Sequence, residues 1–466
     1  MSEKEKTILI VILAFVVMFG CLVISCCAAS LFMISRADRD SVSKIMNESI
    51  ALSNNSLEQN DNNSNNFLAS EEADHTELSR VEQMVIDETE KVRGLTAQTP
   101  LAPVYQTTED LRNYMIAQLE DVSDEDMNKD LKLYAILGFA PENFDLRQFY
   151  VDMYSEQIAG FYDPDENQMY LIEDDSAYNN AVTLAHEYTH YLQYNNPDFS
   201  EYLVHDDDFC EENGETCIIL DALIEGDAML TESRVNVENL IGSYNDNSGQ
   251  ASSDDSSIYD SAPKFFQDSL LFPYMYGYDF VSYHYLKGGF DHVNDLFKNL
   301  PQSVEQIMHP EKYLKDEPVE VNVDPFHAQI SEKFDIIKED VLNESDVMMI
   351  LSSGYQEDWQ LSDRQAASAA EGWGGGTYIF AENEDKPLFF SKTVWDSERD
   401  AEEAETVFSL YCDKRFSKTD IPSLWTGEDN SKVYLIRQDD ILYWMILPDN
   451  FNSDNFVELI RNGSAL

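Results

Sequence analysis

Two histidines and a glutamate within residues 186–190 form the pattern HExxH, and this spacing suits metal chemistry. On a helix, residues four apart lie about 40° apart around the axis, so His186 and His190 can direct ring nitrogens at one Zn²⁺. Glu187 lies about 100° further round, beside the coordination position that a water molecule would take. The pattern therefore predicts a zinc site in which Glu187 accepts a proton from water.

The surrounding segment decides between this interpretation and a chance match, which a composition of this kind would give in roughly one sequence in a hundred. Apolar residues recur at spacings of three and four, which is the period of a helix with one apolar face. They are Val182, Ala185, Tyr188 and Leu192. The pattern predicts a buried helix that holds both histidines rigidly.

A catalytic zinc site needs a third protein ligand, and residues 217–230 offer one. This stretch is strongly apolar with acidic residues embedded in it, so it predicts a second buried helix whose carboxylates need partners. We expect Glu225 to be the third ligand, with Gly226 and Ala228 letting this helix pack closely against the first. The alternative is a solvated glutamate on the outer face of the helix.

These motifs resemble those of the gluzincin metallopeptidases, the peptidase MA-like group with a glutamate as third ligand. The likeness rests on HExxH and on residues 222–228, ALIEGDA. The chain is also similar to a largely uncharacterised prokaryotic family of membrane-anchored zinc peptidase homologues, through residues 155–164, 305–313 and 370–375. The similar stretches lie within residues 81–410.

The resemblance also raises expectations about the residues around the metal. Met229 stands four residues after Glu225, where the thermolysin-like pattern has an aspartate that orients a histidine, so Asp221 or Asp227 is expected to take that role. Tyr274 resembles the tyrosine that stabilises the oxyanion in one-zinc aminopeptidases, and His309 is a second candidate for the same task.

The chain has room for several units, and its patterns predict an α+β protein. We expect a tail and transmembrane helix (1–36), a disordered stalk rich in asparagine, serine and acids (37–80), a mainly helical zincin-like metallopeptidase domain with a small β-hairpin (81–345), and a small α+β module (346–466).

Helical periodicity and short alternating runs give the individual elements. Helices are expected at 81–92, 108–119, 127–137, 144–158 and 397–411, and strands at 158–162, 168–172, 377–380, 388–394, 432–437 and 441–447. The hairpin before the zinc helix would offer an edge strand to a peptide substrate. Its turn also begins like a calcium loop, but Gln168 occupies the position where that loop needs glycine, which favours a plain turn.

Residues 7–35 carry no charge and are long enough to cross a bilayer. A cleaved signal peptide or a lipoprotein signal near residues 23–26 is the alternative to a permanent anchor. Basic residues flank the segment on both sides, so their distribution does not fix the orientation. We expect the domain to lie outside the cytoplasm, on the flexible stalk.

Six cysteines occur in the chain, three of them within the apolar segment. Cys210 and Cys217 are the only pair outside it that could bridge, and a disulfide there would suit an oxidising compartment. Free thiols are the alternative.

Net charge excludes one class of partner. The 89 acidic residues outnumber the 30 basic residues, and the formal charge of −59 would repel a nucleic-acid backbone.

The expected function is that of a membrane-anchored zinc metallopeptidase acting on a peptide or protein, with one Zn²⁺ per chain. The alternatives are a catalytically inactive surface binding protein on the same fold and an acidic surface protein without a metal. The sequence gives no oligomeric state.

Overall fold

The computed structural model describes residues 78–120, 122–172, 177–199, 203, 207–237, 240 and 258–461. The predicted membrane segment and the stalk up to residue 77 lie outside this part of the chain. Within it the architecture is α+β, as the sequence predicted: a mainly helical part with a three-stranded sheet is followed by a seven-stranded sheet. None of the helices described here combines the length and the apolar composition that a membrane crossing requires.

The helices and strands agree with the predicted periodicity in the mainly helical part. The elements up to the zinc helix are α1 (Arg80–Arg93), β1 (Val104–Gln106), α2 (Thr108–Glu120), α3 (Asp124–Leu137), α4 (Leu146–Gln157), β2 (Gly160–Asp163), β3 (Gln168–Ile172) and α5 (Ala177–Tyr194). They are followed by α6 (Asp207–Glu212), α7 (Gly214–Arg234), α8 (Ile258–Ser261), α9 (Lys264–Lys298), α10 (Val304–Met308) and α11 (Asp324–Ile330).

The C-terminal part alternates helices with the strands of the larger sheet. Its elements are β4 (Asp335–Val341), α12 (Glu344–Ser352), α13 (Asp363–Ala370), β5 (Trp373–Asn383), β6 (Lys386–Trp395), α14 (Glu398–Arg415), β7 (Ser417–Lys418), β8 (Leu424–Thr426), β9 (Lys432–Gln438), β10 (Ile441–Leu447) and α15 (Ser453–Arg461).

The small sheet has the strand order β1-β3-β2. β2 and β3 form the predicted antiparallel hairpin, while β1 pairs with β3 in parallel, with Val104 opposite Tyr170. The turn between β2 and β3 is closed by Asp163, whose Oδ1 accepts hydrogen bonds of 2.9 Å from the backbone N–H groups of Asp165 and Glu166. β3, the strand that leads to the zinc helix, is therefore central, and the edges of this sheet are β1 and β2.

The HExxH helix α5 is buried because α1, the small sheet and α7 all pack against it. α1 and the small sheet cover one face through an apolar cluster that includes Val85, Ile86, Met169 and Leu171, and α7 packs against another face. Burial on this scale leaves the helix few ways to move, so the side chains it carries are held firmly.

α7 and α9 make the most extensive helix contact of the described chain, and glycines permit it. A Cβ on Gly277 would overlap the carbonyl oxygen of Ala222, and a Cβ on Gly226 would overlap the backbone of Gly277. The expectation that Gly226 lets α7 approach the zinc helix was wrong, because Gly226 faces α9. Without side chains at the crossing, the backbones of α7 and α9 come into direct contact.

The larger sheet has the order β4-β5-β6-β10-β9-β8-β7 and is antiparallel throughout. One face packs against α14 and the helical part, and the other against α11 and α15. The four strands and the helix predicted between residues 377 and 447 are present, each longer than predicted or of equal length. The sheet also takes its edge strand β4 from before residue 346, where the sequence placed the start of this module.

Candidate metal centre

His186, His190 and Glu225 come together, with one possible ligand atom from each lying within 4.8 Å of the others. All three side chains are buried. Nε2 of His186 lies 3.1 Å from Oε2 of Glu225, and Nε2 of His190 lies 3.7 Å from the same oxygen. Two imidazole nitrogens and a carboxylate oxygen therefore converge on one point, supplied by α5 and α7.

The donor set fits zinc, whose catalytic sites take three nitrogen and oxygen ligands. Nε2 of His190 tests whether a metal ion would suit this site. The atom is buried, and no described residue forms a hydrogen bond with it. A buried nitrogen without a partner costs free energy, and a metal ion held by these three residues would remove that cost.

Glu232 orients His186 through the second nitrogen of its ring. Its Oε2 lies 2.9 Å from Nδ1 of His186, which leaves Nε2 directed at Glu225. Glu232 follows Glu225 by seven residues, two helical turns, so both carboxylates lie on the same face of α7. Histidine ligands commonly bond to a carboxylate through the second ring nitrogen, which sets the tautomer and the ring orientation.

A longer chain of contacts fixes the second histidine. Nδ1 of His190 lies 2.9 Å from Oε1 of Gln193, and Nε2 of Gln193 donates to Oδ2 of Asp227 at 2.9 Å. Asp227 also pairs with Arg93, whose Nε lies 2.8 Å from Oδ1, and neither side chain of that pair is exposed to solvent. The orientation of His190 thus depends on α1 and α7 as well as on its own helix.

Charges around the histidines favour a cation. Burial alone lowers the pKa of His186, but the hydrogen bonds that Glu225 and Glu232 accept from its ring outweigh burial and raise that pKa well above its usual value. Burial also opposes protonation of His190, but the negative charge of Glu225 outweighs it, so the pKa of His190 is raised. For Glu225, burial raises the pKa, and the neighbouring histidines lower it overall. The carboxylates therefore make this point favourable for positive charge.

Glu187, the predicted base, is fully buried beside the convergence point. Its negative charge is among the contributions that raise the pKa of His190, which places its carboxylate near that ring. It is not one of the three residues whose ligand atoms cluster. This is the arrangement expected of a residue that handles a proton instead of holding a metal.

The other expected residues occupy different places. Asp227 acts on His190 through Gln193, whereas Asp221 is buried near Glu225, and its pKa is raised first by burial and then by the charge of Glu225. Tyr274 is buried in α9, one turn before the glycine that contacts α7. His309 follows α10, and its Nε2 lies 2.9 Å from Oε1 of Glu344.

A second cluster of possible ligands in the described chain consists of Glu305, Asp316 and Asp396. The ammonium of Lys312 lies among them, 2.6 Å from Glu305, 3.1 Å from Asp316 and 3.4 Å from Asp396. The lysine ammonium already occupies the middle of this cluster and offsets one of its three negative charges.

The disulfide expected between Cys210 and Cys217 is present and joins α6 to the first turn of α7. Cys412, in α14, is free and buried. The bridge therefore anchors the start of the helix that carries Glu225.

Comparisons with known proteins reach only the C-terminal part. Residues 332–454, which contain the seven-stranded sheet, match a family model described as a domain of unknown function, DUF8575. No curated protein matches the chain. No solved structure matches it either.

Proposed function

We propose that this chain is a zinc metallopeptidase of the gluzincin type, with a zincin-like helical domain that holds one Zn²⁺ through His186, His190 and Glu225. The observation that carries the proposal is the convergence of three buried ligand atoms within 4.8 Å on two helices, with Glu187 beside them. HExxH in a buried helix and a glutamate on a second helix, both suggested by sequence, meet at one point.

Bound zinc would polarise a peptide carbonyl and lower the pKa of a water molecule toward about 7. Glu187 would take the proton from that water as it attacks the carbonyl, and would then pass the proton to the departing amine nitrogen. Glu232 and Gln193 contact Nδ1 of the two imidazoles, which leaves each Nε2 free to bind the metal. Burial of Glu187 keeps bulk water away from the carboxylate while it carries the proton.

We further propose that residues 7–35 anchor the chain in a membrane and that the domain lies outside the cytoplasm. The uncharged length of the segment and the Cys210–Cys217 disulfide support this placement. A protease added to intact cells should release the domain, and both cysteines should resist alkylation until a reductant is added. Release only after lysis would place the domain in the cytoplasm.

The peptidase proposal is tested with the full chain purified in detergent and incubated with a peptide library. We expect cleavage that stops on chelation and returns with zinc. Glu187→Gln should keep zinc and lose cleavage, because an amide cannot accept the proton. Glu357→Gln, at an exposed position, is the matched control and should retain both.

Two other results would replace the proposal. One zinc per chain without cleavage of any peptide would favour an inactive binding protein on this fold. Absence of zinc from the purified chain, together with no uptake from solution, would favour an acidic surface protein without a metal.

A further inference from the structure

A cavity of about 250 Å³ lies between the helical part and the larger sheet. Its walls come from α3, α4, α7, α9, α12 and strands β4 to β6. Ten aromatic residues line it, and they include Tyr134, Phe149, Tyr150, Phe265, Phe266 and Phe389. Cavities of this kind, at the junction of two packed units and mostly apolar, are the usual place for small ligands.

The ionisable groups in this wall are mostly acidic. Five carboxylates line the cavity, those of Asp130, Glu215, Asp221, Asp340 and Asp346, against the single ammonium of Lys338. Lys338 lies 3.3 Å from Asp340, so one of the carboxylates is already neutralised. Both side chains are mostly buried: Lys338 exposes 21% of its side chain and Asp340 exposes 17%.

Most of the remaining acids have structural partners. Glu215 accepts a hydrogen bond of 2.8 Å from the backbone N–H of Val304, and Asp346 accepts one of 3.0 Å from that of Asn343. Asp130 differs from them, because its Oδ2 is buried and no described residue forms a hydrogen bond with it. Burial, more than the neighbouring charges, raises the pKa of Asp130 to about 7.

We propose that this cavity binds a small organic cation, with its ammonium or guanidinium at Asp130 and its apolar body among the aromatic rings. A cation would give Oδ2 of Asp130 the hydrogen-bond partner it lacks, and aromatic faces attract cations as well as apolar groups. The basic side chain of a peptide and a free small amine share this chemistry. Asp221, in the wall, precedes the proposed metal ligand Glu225 by one helical turn, so one wall of the cavity is formed by the helix that carries this ligand.

The test measures binding of three ligands of one shape by titration calorimetry on the full chain. They are 3-phenylpropylamine, 3-phenylpropanol and 3-phenylpropionate, which share a phenyl ring on a three-carbon chain and carry a positive, a neutral and a negative head group. The amine should bind at least about tenfold more tightly than the alcohol, as a charge-assisted hydrogen bond implies, and the acid should bind least. Equal affinities, preference for the acid, or no binding of the amine would overturn the proposal.

Asp130→Asn should lower the affinity for the amine about tenfold and leave that for the alcohol unchanged. Glu125→Gln is the control, because it removes the same charge from the same helix at a side chain that is 81% exposed. It should leave all three affinities unchanged. If both variants weaken amine binding equally, the amine responds to net charge alone and the site is refuted.

The source of the cation is decided by a further arm, which rests on the proposed peptidase function. Two results together would identify a substrate side chain. The amine would inhibit peptide cleavage competitively, and the enzyme would prefer peptides with a basic residue near the cleaved bond. Asp130→Asn would then abolish this preference by raising KM for those peptides. Binding that leaves cleavage unchanged would identify a free amine. Calorimetry needs no cleavage, so failure of the peptidase proposal and failure of the cavity proposal give different results.

Discussion

The buried pair of Arg93 and Asp227 links the stability of the fold to the metal centre. Both side chains are fully buried, and the Arg93 guanidinium also lies over the rings of Phe290 and Phe199, at 4.8 and 5.7 Å from their centroids. Removing one charge of such a pair leaves the other desolvated and unpaired, which costs about 3–5 kcal/mol. Asp227→Asn should therefore lower the free energy of unfolding by about that amount.

The same substitution should affect zinc separately. Asparagine keeps one oxygen that can accept from Gln193, so the orientation of His190 would be weakened but not lost. Loss of such an outer contact typically costs 10–100-fold in metal affinity, and we expect about tenfold here. In the double variant Arg93→Met with Asp227→Leu, no unpaired charge remains, so stability should recover by about 2 kcal/mol or more. Zinc affinity should not recover, because Gln193 then has no carboxylate to hold it.

Urea unfolding followed by circular dichroism measures the first effect, since all five tryptophans lie at residue 359 or beyond and do not report on α1, α5 or α7. Competition with a chromophoric chelator measures the second effect. Glu88→Gln is the control, because it breaks the solvent-exposed pair with Lys91 on the same helix and should cost less than about 1 kcal/mol. A cost below about 1 kcal/mol for Asp227→Asn, or a double variant as unstable as the sum of its two single changes, would refute the reasoning.

Three further outcomes are expected. Glu225→Ala should lower zinc affinity about tenfold or more, measured by chelator competition, because one of three ligands is lost; unchanged affinity would place the third ligand elsewhere. Gly277→Ala should lower the free energy of unfolding by about 1–3 kcal/mol or more, measured by urea unfolding, because its methyl group overlaps the carbonyl of Ala222; a neutral effect would contradict the close helix contact. Folding raises the pKa of Asp130 from 3.8 to about 7, so the folded state holds the proton more tightly than the unfolded state. The tighter proton binding stabilises the fold below about pH 4, and this stabilisation is lost as the pH rises from about 4 to 7. Asp130→Asn should therefore gain stability relative to the wild type over that range, by at most about 4 kcal/mol, and a constant difference across pH would refute the raised pKa.

Local patterns in the sequence predicted the elements whose periodicity is strong. α5 and α7 follow from apolar residues at helical spacing, and β6, β9 and β10 follow from short runs of apolar and β-branched residues between turns. β1 and β4 were missed. β1 has three residues and pairs in parallel with a distant strand, and β4 carries four charged residues in seven, so neither has a local signal.

Some residues of the candidate site could also be predicted from local sequence patterns, and others could not. His186, Glu187, His190 and Glu225 stood out because their residue types and spacing suit one chemistry. Glu232 is also predictable from the sequence, since it follows Glu225 by two helical turns and so lies on the same helical face. Gln193 and Arg93 could not: the first is an ordinary polar residue, and the second meets Asp227 across 134 residues of sequence, through the packing of α1 against α7.

The measurement that tests the central claim most directly is the zinc stoichiometry of the full chain after equilibrium dialysis against zinc, determined by mass spectrometry of the metal. We predict one zinc per wild-type chain and none in the variant that carries both His186→Ala and His190→Ala, with its circular dichroism unchanged. Wild-type protein without zinc, or a variant that keeps the zinc while folded, would contradict the assignment of this metal centre.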